Sequence, residues 1–108
     1  MGFFTGAFGH RPIGFAQTMC EKIARQFPPA TEAQLAKKGV QRRLQGIIDH
    51  LVDDLDAFQK EMQLGWIGKA RLGNALLWGL QDRGFSREFA EAVTEGIIKY
   101  LAAQRAAN

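Results

Sequence analysis

Two histidines, one cysteine and a run of carboxylates are the groups in this chain with the chemistry to hold a metal or attack a substrate. His50 and Asp54 stand four apart with Glu61 two turns further on, and on a helix that spacing sets two or three ligands along one face. A metal centre asks for more than this. The second histidine, His10, lies far off in the opening segment, and Asp49, Asp53, Asp54 and Asp56 lack the glycine and closing glutamate of a calcium loop. The acidic run therefore reads as a solvated helix face, and no metal site is expected.

Cys20 shares an apolar stripe with Phe15, Met19, Ile23 and Phe27, where a cysteine packs as a small hydrophobe rather than acting as a nucleophile. Without a second cysteine no intrachain disulfide can form, and a cytoplasmic setting is expected. The stretch Gly65-Trp66-Ile67-Gly68-Lys69-Ala70 has two residues between its glycines where a phosphate loop has four, and Ala70 follows the lysine. No catalytic set and no cofactor emerge, so an enzyme is not the favoured reading.

Binding chemistry is better represented. On a helix Trp78 shares its angle with Ile67, Arg71 and Asn74 and is flanked by Gln81 and Asp82, the mixture of Trp and Arg that concentrates binding energy at protein interfaces. The structural alternative is a tryptophan at the edge of its own core, its indole N–H on a nearby polar group. Lys37, Lys38, Arg42 and Arg43 form a basic cluster around Gly39 that could neutralise a few phosphates, which keeps nucleic acid as an alternative partner. The cluster has no interleaved aromatics for base stacking. A helix-turn-helix across Leu77 to Glu95 would point Glu88, Glu91 and Glu95 at the phosphates, the wrong sign. Phe3, Phe4 and Phe8, set among Gly2, Gly6 and Gly9, follow no period, and burying each would contribute on the order of 2 kcal/mol. Their expected seat is the chain's own bundle, with a neighbouring subunit or another partner as the functional alternative and a membrane surface, met together with Arg11, as a third.

The elements that must position these groups are helical. Val is scarce, Ala, Leu, Gln, Glu, Lys and Arg are plentiful, and no strand alternation stands out. The spacing predicts a first helix from about Ile13 to Phe27, ended by Pro28 and Pro29. A short helix from Thr31 to Lys38 follows, with Thr31 and Gln34 as a capping box and a break near Gly39. A long helix from about Val40 to Leu64 carries Leu44, Ile48, Leu51, Leu55, Phe58 and Met62 as one stripe. It is the expected central strut, its stripe facing the chain's own helices or a second copy in a coiled coil. After a turn or kink at Gly65 comes a helix from Trp66 to Arg83 whose Gly68, Gly73 and Gly79 would admit another backbone closely, with Leu72, Leu76, Leu77 and Leu80 as its apolar face. Gly84 ends that helix, and Ser86 caps a last one that buries Phe89, Val93, Ile97, Tyr100 and Leu101.

The expectation is one all-α domain over residues 1–108, a bundle of four main helices and one short one behind an irregular Phe- and Gly-rich segment, residues 1–12. A length of 108 residues suits one core, and no apolar run is long enough to span a bilayer. Met1 to Pro12 has neither the basic start nor the apolar core of a secretory signal, and Gly6 stands where myristoylation needs Ser or Thr. The net charge of +3 is a difference between segregated patches. Met1 to Gly46 has seven basic and two acidic residues, Ile47 to Leu64 one and five, and Gly65 to Asn108 six and four. Opposed patches suit protein contacts, including contacts between copies. The expected function is a small protein–protein interaction or regulatory module, a homo-oligomer with the dimer favoured or a partner of another protein. Nucleic-acid binding and a small apolar ligand held within the bundle are the alternatives.

Overall fold

The computed structural model of the chain describes residues 11–62 and 66–107. Four α-helices, α1 (Arg11–Gln26), α2 (Lys38–Met62), α3 (Trp66–Asp82) and α4 (Arg87–Ala107), and a 3-10 helix (Pro29–Gln34) form an all-α globule, with no strand among the described residues. Its extents of 45 × 33 × 19 Å make a slab. With helices about 10 Å across, the thinnest dimension holds two layers and not three.

Helix α1 begins two residues before the predicted start. Arg11 and Pro12 are helical, so the irregular segment does not reach residue 12. Pro12 is tolerated because an amide in the first turn has no intrahelical acceptor to lose. Met19, Cys20, Ile23 and Phe27 are buried as the stripe requires, and Phe15 stacks on Phe58 with ring centroids 4.2 Å apart.

The predicted capping box at Thr31 does not form. The Pro28–Pro29 pair sets the geometry instead: Pro29 opens the 3-10 helix, no side chain caps it, and Thr31 N–H donates to the Pro28 carbonyl at 2.8 Å. Turn residues 35–37 separate it from α2, which starts at Lys38, so the chain breaks before Gly39 and Gly39 itself is helical. The turn expected at Gly65 falls outside the described residues.

Helix α3, not the long α2, is the central element. It packs closely along α1 on one side and α4 on the other. Its glycines explain how. A Cβ on Gly79 would lie 2.8 Å from Cys20 Sγ, and one on Gly73 would lie 3.3 Å from Ile98 Cδ1, so both neighbours occupy the space a side chain would need. Leu72, Leu76 and Leu80 are fully buried, while Leu77 is half-buried at the core's margin. Gly84, at φ +104°, ends α3 in a left-handed turn where Phe85 N–H donates to Leu80 O (3.2 Å) and Gly84 N–H to Gln81 O (3.0 Å). That pair of bonds is a Schellman closure.

Helix α2 runs antiparallel to α1, tied by Lys22 Nζ to Asp54 (3.0 Å) and by Arg43 donating to the Gln26 carbonyl (2.9 Å). Its predicted stripe divides. Leu51, Leu55 and Phe58 join Ile47 in the core, but Leu44 and Ile48 are only half-buried. They face α4 across an open groove, because α2 and α4 are not closely packed along this stretch.

Candidate functional site

Helix α3 presents one face to solvent. Trp78 and Ile67 are 52% and 55% exposed and are the large apolar side chains left open among the described residues. Arg71 and Asn74 lie between them on the same face and are exposed. The predicted grouping of Ile67, Arg71, Asn74 and Trp78 is therefore an outward surface. Trp78 is about half exposed, and its indole N–H meets no acceptor among the described residues.

Beside Trp78 lies a shallow pocket of about 300 Å³ between α1 and α3. Ile13 and Gln17 of α1 form one wall, and Asn74, Ala75 and Gly79 of α3 form the other. Arg71 and Asp82 stand at its rim, and neither is ion-paired among the described residues. Arg83 is partly engaged, donating to the Gly79 carbonyl at 3.2 Å. The patch thus joins an exposed aromatic knob, a shallow pocket, and cationic and anionic side chains, Arg71 and Asp82, without ion-pair partners among the described residues.

The second surface is the groove between α2 and α4, about 740 Å³ in volume. Lining residues toward each end make polar contacts. At one end the Glu32 carboxylate accepts hydrogen bonds from the Ser86 backbone N–H (2.8 Å) and hydroxyl. At the other Tyr100 OH donates to Asp56 at 2.7 Å. Nothing in the sequence reading foresaw this groove. Leu44 and Ile48 match the core period, and a period cannot say which molecule covers a residue.

The remaining groups are placed as follows. Lys37, Lys38, Arg42 and Arg43 are all exposed where α2 begins; Lys38 and Arg42 flank a small depression with Gln41 and Gln45. Phe3, Phe4 and Phe8 lie outside the described residues. His50 is exposed, its Nδ1 2.9 Å from the Gly46 carbonyl. Cys20 is buried beneath α3, its thiol 3.7 Å from the Leu76 carbonyl. Burial pushes that thiol up to about 11, outweighing the opposing pull of the Arg83 guanidinium, so it has the character of a packing group and not of an activated thiolate. Among the described residues no helix is long and apolar enough to cross a membrane. Set against known families, curated proteins and solved structures, the chain matches none.

Proposed function

We propose that this protein is a small helical interaction module that pairs with a second copy of itself through the outer face of α3. The observation that carries the reading is Trp78, 52% exposed beside a shallow pocket on its own surface that Ala75 and Asn74 help to line. A two-fold contact requires each patch to hold both halves of every interaction, because residue i meets j while j meets i. This patch meets that requirement. In an antiparallel pairing of two α3 helices, the register that sets Arg71 opposite the partner's Asp82 also sets Trp78 opposite the partner's Ala75 and Asn74 opposite the partner's Gly79. The knob then stands over small residues, and two ion pairs flank it at the rim. The indole supplies most of the affinity, and the charges mainly select the orientation.

Sedimentation or light scattering across a concentration series tests this. Wild type should dimerise, and Trp78→Ala should weaken dimerisation by about a thousandfold, since roughly 2 kcal/mol at a central aromatic is lost from each of the two protomers. Arg71→Glu should also weaken it, whereas Arg71→Glu combined with Asp82→Arg should restore it by exchanging the signs across the two-fold. A wild-type chain that stays monomeric at high concentration would refute the proposal. Weakening by Trp78→Ala without restoration by the charge swap would keep the surface and reject the register.

A further inference from the structure

No residue lines both the groove between α2 and α4 and the pocket beside Trp78. Leu44, Ile48 and Val52, all half-buried, follow one another at four-residue steps along its α2 wall, while Phe89, Val93 and Ile97 of α4 line it from within the buried core. A strip of this kind is half of a helix–helix contact. From Gln41 to Val52 it runs for about 17 Å, which is three turns of an occupying helix. Ala92 and Gly96 lie between the walls, and a Cβ built on Gly96 meets nothing within 4 Å, so an occupant's backbone can come close to α4 there.

Charge selects the occupant. Among the described residues no Lys, Arg or His lines the groove, while Asp49 and Glu88 do and have no cationic partner there. Asp49 only accepts from Gln45 Nε2 at 2.8 Å. Glu32, also in the lining, is committed to Ser86. Lys38 and Arg42 lie outside, around the adjoining depression. A second copy laid groove to groove would bring Asp49 and Glu88 against like charges, which penalises a two-fold contact here. A small apolar molecule would make no use of the carboxylates.

We propose that this groove binds an amphipathic helix of another protein, with Leu, Ile or Phe at four- and three-residue steps facing Leu44, Ile48 and Val93, and Lys or Arg flanking that stripe against Asp49 and Glu88. Such an occupant reproduces the helix-in-groove mode, in which apolar anchors give affinity and the charged rim selects the partner.

The test uses the full chain and two synthetic helices of about fourteen residues, long enough to fill the groove. They share one leucine stripe; one carries Lys and the other Glu at every remaining position. The Lys peptide should bind, shift the backbone amide resonances of α2 residues 41–52 and α4 residues 88–100, and bind at least about tenfold more tightly than the Glu peptide, as one favourable rim contact implies. Gly96→Leu, which fills open space, should abolish binding. Glu88→Lys combined with Asp49→Lys should reverse the preference between peptides without needing the groove to be filled. The proposal is overturned if neither peptide binds at millimolar concentration, if both bind equally, or if the shifts map elsewhere. It is overturned too if Phe3, Phe4 or Phe8 of the free full-length protein shows nuclear Overhauser contacts to the Ile48 and Val93 methyls, since the chain would then cover its own groove.

Discussion

Gly79 and Cys20 show how closely two helices can be brought by removing one side chain. Glycine within a helix costs about 1 kcal/mol relative to alanine, so Gly79→Ala viewed as helix chemistry alone should stabilise. The contact reverses that sign. With the new Cβ 2.8 Å from Cys20 Sγ in a fully packed layer, α1 or α3 must shift, and we expect a net loss of about 1–3 kcal/mol. Cys20→Ala removes the sulfur, so adding Gly79→Ala on that background should cost far less. Denaturant unfolding of the four proteins in this cycle should return a coupling of about 1 kcal/mol or more, as expected for side chains in direct contact. Additivity would mean that the helices yield without strain. The same thiol has a pH signature. Its proton is held more tightly in the fold, up to about 11 against an ordinary 9.0, so its contribution is complete below pH 9 and fades as pH rises toward 11. The stability of wild type relative to Cys20→Ala should decline across that interval and stay level below it.

The start of α4 is stabilised from a distant part of the chain. Ser86 caps it, its Oγ accepting from Phe89 N–H at 3.1 Å. In a capping box a Glu or Gln three residues later reaches back to the cap's own N–H, but Phe89 holds that position. Glu32 of the 3-10 helix does the job instead, accepting from both the Ser86 N–H and hydroxyl across 54 residues of sequence. Its negative charge also suits the helix N-terminus. Ser86→Ala should cost about 1 kcal/mol, and Glu32→Ala a comparable amount, with Glu32→Gln milder because an acceptor oxygen remains. Thermal melts of the three variants check this, and a silent Glu32→Ala would show that water serves equally well. This element also marks what local pattern could and could not reveal. Ser86 as a cap and Gly84 as a helix terminator were legible because each acts on its neighbours. Glu32 was not, since its partner is adjacent only after folding. The α3 surface was legible because Ile67, Arg71, Asn74 and Trp78 share an angle with polar residues. The α2/α4 groove was not, because Leu44 and Ile48 carry the same period whether their cover comes from this chain or another. The central place of α3 was likewise hidden behind the greater length of α2, although Gly73 and Gly79 already signalled close approach.

Across the whole molecule the charges separate into surfaces of different kind. The α1/α3 edge holds Arg71, Asp82 and Trp78 together, both signs on one patch, and so suits a copy of itself. Among the described residues the charged groups that line the α2/α4 groove are carboxylates, which suits something unlike itself. Because no residue is common to the two linings, the proposed pairing through α3 would leave each groove open. The proposed two-fold dimer would then display two identical clefts at a fixed separation. A partner with two basic helices, or a surface densely coated with them, would engage the second cleft as an intramolecular event at an effective concentration of about millimolar, given a tether long enough to span them. Apparent affinity would exceed that of a single cleft by roughly a hundredfold to ten-thousandfold with no new contact made. Trp78, although it touches no part of either groove, would thereby set how long such a partner is retained.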